Sequence, residues 1–278
     1  MIRASVIGAL ILVNVLIFSF AGERTLSVSF FDVGQGDSIF IESPTGVQVL
    51  IDGGLDKAVL RTLGSELSFF DRTLDAVIAT HPDADHIGGL VDVFERYEVG
   101  LFIESGVEND TSVTRAVETA AREESASRVL AKRGMRLLLG GGAYADILYP
   151  DRDVSKQETN AGSIIVRVVY GENEFMLTGD APKAIEGVLV SAYGTMLQSD
   201  VLKAGHHGSK TSSNEYFVKA VNPEYVVYSR GCDNSYGHPA EEIVALFQKL
   251  SIPALDTCTS GTISFHSNGK DFTVTTTR

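Results

Sequence analysis

Four residues able to ligate a metal ion fall within six positions, at His81-Pro82-Asp83-Ala84-Asp85-His86. Imidazole nitrogen together with carboxylate oxygen suits Zn²⁺ or Mn²⁺, and no thiolate is present in the set. Three later stretches supply what this one lacks. Leu177-Thr178-Gly179-Asp180 puts an aspartate at a strand end, behind a glycine that lets backbone come close. Asp180 suits a bridge between two cations, and it also stands where it could cap the helix that Pro182 begins. Lys203-Ala204-Gly205-His206-His207-Gly208-Ser209 carries a histidine pair. Adjacent side chains at the end of an extended strand point to opposite faces, so one histidine is expected to bind metal and the other to face substrate or a supporting partner. Asn234-Ser235-Tyr236-Gly237-His238-Pro239 sets His238 on a loop before a helix. There it can protonate a leaving group or hold a phosphate oxygen, or simply be satisfied by loop backbone.

The chemistry follows from the donors. Two cations a few Å apart can generate a metal-activated hydroxide and clamp the oxygen of a phosphoryl or acyl group. Lys203, Ser209 and His238 are candidates to stabilise the negative charge that develops. Asp52, at a neighbouring strand end, is placed to accept the free N–H of a ligating histidine. No Gly-x-x-x-x-Gly-Lys-[Ser/Thr] loop and no Gly-x-Ser-x-Gly elbow occurs, which excludes a P-loop nucleotide site and the serine-hydrolase elbow.

These groups need elements to carry them. Residues 74–79 read as a short buried strand and 88–97 as a helix, so the first cluster sits on a strand-to-helix turn. Strands are expected at 25–32, 38–43 and 47–51, then a helix at 57–67 with Val59, Leu60, Leu63 and Leu67 on one side. A short strand at 101–104 and a long charged helix at 112–133 follow. Strands at 135–139 and 145–149 come next, with a hairpin at 163–170 and 174–178. A helix from 182, strand 200–204, helix 214–220, strand 225–229 and helix 240–250 lead to closing strands at 252–255, 261–267 and 271–276. Strand-rich ends with helices between them predict two mixed sheets with helices outside, an αββα sandwich, as one domain over residues 24–278.

Composition narrows the function classes. The chain has 36 acidic against 23 basic residues and a net charge of −13. That argues against the broad basic footprint of a processive nucleic-acid binder, although bound divalent cations would offset part of the charge. Cys232 and Cys258 each follow a strand, and the reading stays open between a disulfide joining two loops and two buried thiols. Behind Arg3, residues 4–21 are almost wholly apolar. They read as a membrane anchor or a signal peptide within residues 1–22, and both place the remainder outside the cytoplasm.

Residues 31–38 (Phe-Asp-Val-Gly-Gln-Gly-Asp-Ser), 50–54 (Leu-Ile-Asp-Gly-Gly), 80–89, 177–180, 206–209 and 236–239 occur in this order. Together they resemble the metallo-β-lactamase-fold hydrolase domain of the ComEC competence-protein family. The resemblance implies a metallo-β-lactamase-like four-layer αββα sandwich, here preceded by one N-terminal apolar helix, with two divalent metal ions at one sheet edge. By position it gives His81 and Asp83 to the first metal, Asp85, His86 and His206 to the second, and Asp180 to both. Asp83 stands where the general His-x-His-x-Asp-His pattern has its second histidine, and the harder oxygen shifts preference from Zn²⁺ toward Mn²⁺. The general pattern also has a histidine between these motifs, but none occurs between His86 and His206; Asn160 occupies that stretch and is expected to face the site. His238, Lys203, His207, Ser209 and Asn160 are thus the catalytic candidates, and Asp52, Asp32 and Asp37 the residues supporting the ligands. The implied activity is a phosphodiesterase or nuclease acting on extracytoplasmic DNA. The alternatives are hydrolysis of a small phosphodiester, ester or lactam, and a non-enzymatic partner of a separate DNA-uptake channel protein. The N-terminal segment is the expected membrane contact.

Overall fold

The computed structural model describes residues 25–278. The expected N-terminal apolar helix lies outside the described residues, and among those described no helix is long and apolar enough to cross a membrane. Among the described residues fifteen strands form two sheets. The first has the order β15 (Phe272–Thr276), β14 (Ile263–Ser267), β1 (Leu26–Phe30), β2 (Ile39–Glu42), β3 (Gln48–Ile51), β4 (Thr73–Ala79), β5 (Glu98–Glu104), β6 (Ser127–Leu130). The second runs β13 (Ala254–Asp256), β12 (Tyr225–Tyr228), β11 (Val201–Lys203), β10 (Asn173–Leu177), β9 (Ile165–Tyr170), β8 (Ala143–Tyr149), β7 (Arg136–Gly140).

Apolar side chains set the layers. Central strands are buried on both faces, as all four residues of β3 show, because each sheet has a neighbour on each side. Val28, Phe30, Ile41, Val49, Ile147, Val166, Phe175 and Phe265 fill the space between the sheets. Leu50, Val77 and Phe102 face outward onto α1 (Ala58–Glu66), α2 (Ala84–Ile87), α3 (Leu90–Arg96) and α4 (Ser112–Glu124) through Val59, Leu63, Leu90, Val93 and Val117. Met176, Leu202 and Val226 face the other way, onto α5 (Lys183–Tyr193), α6 (Glu215–Val221) and α7 (Glu241–Lys249) through Leu189, Phe217 and Phe247. A last short helix, α8 (Thr257–Ser260), follows β13. Four layers result.

Two sequence expectations change. The long helix expected over 112–133 stops at Glu124, where Ser125 turns left-handed at φ 73°. Residues 127–130 instead form the edge strand β6, paired in parallel with β5, and Arg128 holds Glu104 in a bidentate pair. A charged edge strand and the tail of a charged helix share one polarity pattern; only the ladder offered by β5 separates them. The helix after β4 also starts earlier than expected, at Ala84, so His81 and Asp83 stand on the turn before α2 while Asp85 and His86 lie within it.

The parallel strands bring the chemistry to one edge. β3 pairs in parallel with β4, and β10 with β11. The residues just past their carboxyl ends are Asp52, Thr80-His81, Asp180 and the His206-His207 pair, so both sheets deliver their polar groups to the same rim. Cys232 and Cys258 form a disulfide with Cα atoms 4.9 Å apart, which pins the loop after β12 to the start of α8 and settles the question the spacing left open.

Candidate metal centre

Four histidine rings from two chain segments surround one oxygen supplied by a third. The Nε2 atoms of His86, His207, His206 and His81 lie 3.3, 3.5, 3.6 and 3.9 Å from Oδ2 of Asp180. The opposite nitrogen of each ring is tied back. Nδ1 of His86 is 2.8 Å from Oδ2 of Asp52, Nδ1 of His207 is 2.8 Å from the Ser229 carbonyl, and Nδ1 of His81 is 3.0 Å from the Thr80 hydroxyl. Nδ1 of His206 meets Oγ1 of Thr211 at 3.1 Å and Nδ2 of Asn160 at 3.4 Å. Asp52 also receives the Thr80 N–H and hydroxyl, so a single carboxylate orients two ligand segments. This is how metal-binding imidazoles are held: one nitrogen fixed by an acceptor, the other left facing the centre.

The facing atoms lack partners. Nε2 of His81, His86 and His207 and Oδ1 of Asp180 are buried without a hydrogen bond, which is costly unless a cation is bound there. The remaining donors are carboxylates. Asp83 Oδ2 lies 3.6 Å from His81 Nε2, and Asp85 Oδ2 lies 3.3 Å from His207 Nε2. Asp83, Asp85 and His206 are about a third exposed or less, whereas His81, His86, His207 and Asp180 are buried. The centre therefore opens to solvent on the Asp83–Asp85–His206 side.

Asp37, His86, Asp180 and His207 offer donor atoms within 4.8 Å of one another. Asp37, however, lies on the tied-back side: its oxygens are 3.8 Å from Nδ1 of His86, 3.3 Å from Nδ1 of His207 and 2.7 Å from the ammonium of Lys203. It braces the histidines from behind, as expected of a supporting residue. The turn that delivers it needs Gly36, at φ 117°, because a Cβ there would sit 1.9 Å from the Asp85 carbonyl oxygen.

Charge in the cluster is shared out by these contacts. Burial lowers the pKa of the His207 imidazole, but Asp180 and Asp37 outweigh it and raise the value to about 9. Burial and the neighbouring His86 push His81 down to about 3. Burial raises the pKa of Asp85, but the adjoining His207 and the charge of His86 outweigh it and bring the value down to about 2. Asp180 is held well below the usual carboxylate range by His207, His86 and Lys203 despite complete burial.

Several expectations need correction. The histidines of the pair both turn Nε2 toward Asp180. They occupy left-handed backbone, φ 49° for His206 and 55° for His207, so the alternation of an extended strand does not apply. His207 is the one against Asp85, the place first given to His206; His206 instead neighbours Asn160, which sits at the start of a short 3-10 turn. Lys203 is fully buried, with its ammonium on Asp37, on the Gly179 carbonyl at 3.0 Å and 3.6 Å from Asp180. It neutralises carboxylates from beneath and does not reach substrate. Ser209 is buried and accepts hydrogen bonds from Thr211, one step behind His206. Asp32 lies outside the centre, paired with Arg278 at 2.8 Å, because the chain turns at Gly34 before reaching the rim. Asp180 does not cap α5; that cap residue is Pro182. His238 stands beside the centre, its ring centroid 5.4 Å from that of His206, and burial with the nearby His206 and His207 lowers it to about 4. Thr80, Thr211 and the Ser229 carbonyl were not foreseen; Thr80, directly before His81, carried the one local signal.

Behind the histidine pair, the buried Glu186 of α5 receives the N–H groups of Ser213 and Asn214, both at 2.7 Å, and so fixes the loop after Ser209. Burial raises it to about 7 against the pull of those amides and of Lys183. A folded-state value above the unfolded 4.5 means the native state holds the proton more tightly. Its contribution is fully present below pH 4.5 and lost as pH rises through 7, on the order of 3 kcal/mol. Urea unfolding at pH 5 and pH 8 is expected to show this decline, and Glu186→Gln to flatten it; an unchanged slope in the variant would assign the decline elsewhere.

Fold and centre together define a metallohydrolase of the two-sheet sandwich class. The chain belongs to the metallo-β-lactamase superfamily, whose model matches residues 31–231. The "ComE operon protein 3" of Bacillus subtilis is 32% identical over 256 residues, covering 86% of this chain and 32% of that protein. The "Competence protein ComA" of Neisseria gonorrhoeae is 31% identical over 246 residues, 87% of this chain and 32% of its own length. The chain thus spans about a third of the curated relatives it matches, and the resemblance to the ComEC family holds over nearly all the described residues. Among solved structures, the metallo-β-lactamase fold protein YhfI of Bacillus subtilis superposes with a TM-score of 0.58 at 13% identity, over 88% of this chain and all of that one. Igni18, a metallo hydrolase from Ignicoccus hospitalis, gives 0.57 at 15% over 87% and 98%. At these identities the two structures speak for the fold alone.

Proposed function

We propose that the chain is a metal-dependent phosphodiesterase that cleaves DNA outside the cytoplasm. The observation that carries the metal centre is the convergence of four imidazole Nε2 atoms on one carboxylate oxygen, with the opposite nitrogens anchored. In this reading Asp85, His86 and His207 would hold one divalent cation and His81, Asp83 and His206 the other, with Asp180 available to both. Bound there, the cations supply Lewis acidity toward a phosphoryl oxygen and acidify water near neutral pH. The protein's part is to fix the donors and to shape the approach. Asp52, Asp37, Ser229 and Thr80 keep each ligand ring aimed, so little reorganisation is needed. Neutral at pH 7, His238 holds a phosphate oxygen or the leaving oxygen at the open side. The DNA reading is supported by the names of the competence-related relatives, and the extracytoplasmic one by the apolar residues 4–21 and the disulfide.

The test is cleavage by the purified protein of linear single-stranded DNA, a chromogenic phosphodiester and nitrocefin, with Mn²⁺ or Zn²⁺ and with chelator. The expected result is metal-dependent DNA cleavage without lactam turnover. Turnover of the chromogenic compound with intact DNA would replace the nuclease reading by a small-ester hydrolase. Metal uptake that raises the melting temperature with no turnover at all would leave the ions a structural role.

A further inference from the structure

The Tyr236 side chain makes no hydrogen bond to any other described residue. It is 68% exposed, and its ring lies nearly parallel to the His238 imidazole, 25° between planes and 5.8 Å between centroids. His238 in turn is 5.4 Å from His206 and 6.4 Å from His207. Phe69, Phe70 and Tyr216 are as exposed among the described residues, but Tyr236 is the one that stacks on a histidine beside the centre.

The loop that presents it is braced. The Asn234 side-chain amide donates to the carbonyls of Gly231 and His238 at 2.9 Å, and its oxygen accepts the His238 N–H at 3.0 Å. The Cys232–Cys258 disulfide pins the loop's base, and Gly231 donates to the Gln35 side chain. An aromatic ring held out to solvent on a fixed loop is a preformed flat surface, ordered before any ligand arrives.

We propose that Tyr236 is a stacking platform for the nucleobase next to the scissile phosphate, so that the substrate is a single strand with unpaired bases. This rests on the phosphodiesterase reading and names its substrate class. Charge favours it. At −13 and without a basic run, the chain has little positive charge of its own with which to hold a strand by phosphate contacts. Stacking on an aromatic face is the sequence-tolerant alternative, since every base has a π-face. A base in a duplex is already stacked and paired, and it would have to be extruded to use the platform.

The experiment compares cleavage of an oligodeoxythymidylate with that of the same backbone carrying abasic residues, in Mn²⁺, by the wild-type chain, Tyr236→Ala and Tyr236→Phe. The expected result is a rise in KM of about tenfold or more for Tyr236→Ala on the thymidylate strand. The same variant should show little change in kcat and a loss confined to the strand with bases, and Tyr236→Phe should behave as wild type. Wild-type KM should also depend only weakly on salt. Equal losses on both strands, or none on either, would overturn the platform while leaving the phosphodiesterase intact. Failure of the wild type to cleave either strand would overturn both.

Discussion

Asp180→Asn is expected to abolish turnover, lowering kcat by at least about 10³-fold, and to cut metal content from two ions per chain to one or none. The reason is geometric. Oδ2 of Asp180 is the one atom within 3.9 Å of all four Nε2 nitrogens. It is buried, so water cannot take its place. Asparagine keeps the shape but removes the charge that would offset bound cations. A thermal readout separates this from a folding defect. At a hundredfold excess over its Kd, a bound ion stabilises the native state by about 2.7 kcal/mol. The wild type should show a rise in Tm on adding Mn²⁺, and Asp180→Asn should show almost none while remaining folded. Two ions in the variant by elemental analysis, with a wild-type shift in Tm, would remove Asp180 from the centre.

Lys203→Met is expected to lose about 3–5 kcal/mol of stability, the cost of stranding buried carboxylates without their counter-charge. The Lys203 ammonium is enclosed by Asp37 at 2.7 Å, the Gly179 carbonyl and Asp180. Burial alone would lower its pKa, but Asp37 and Asp180 raise it, so the ammonium stays charged. The double variant Asp37→Asn, Lys203→Met removes both members of the closest pair. It should be more stable than the sum of the two single variants predicts, because it leaves one fewer uncompensated charge. Urea denaturation of the metal-free protein measures this directly. Were Lys203 a group that meets substrate, Lys203→Met would keep wild-type stability and lose only kcat.

A second kind of strain is concentrated at the same rim. Asp52, His206 and His207 all adopt positive φ, at 59°, 49° and 55°. Such conformations cost non-glycine residues on the order of 1–3 kcal/mol each and persist where the surroundings impose them. Here the surroundings are the anchors of each side chain: Thr80 and His86 on Asp52, Thr211 on His206, Ser229 on His207. Fold stability is thus spent on aiming donors, as expected of a centre built for chemistry.

Much of this was legible in the chain itself. Local spacing fixes the donor types: the strand 73–79 leads straight into His81, Asp83, Asp85 and His86, and no fold could separate four residues within six positions. The order of strand-like and helix-like stretches likewise points to the sandwich, since strands buried on both faces need helices outside. What the sequence could not contain is direction. Whether His206 or His207 meets Asp85, whether Lys203 points at solvent or lies beneath Asp37, and whether Asp32 reaches the rim all depend on atoms many residues away. So do the ladder that turns 127–130 into a strand and the approach of Cys232 to Cys258. Periodicity reports which faces are apolar; it carries no record of the backbone twist that turns two adjacent imidazoles to the same carboxylate. That arrangement exists only once β10, β11 and β12 are paired, because Asp180, the histidine pair and the Ser229 anchor each follow a different one of these strands.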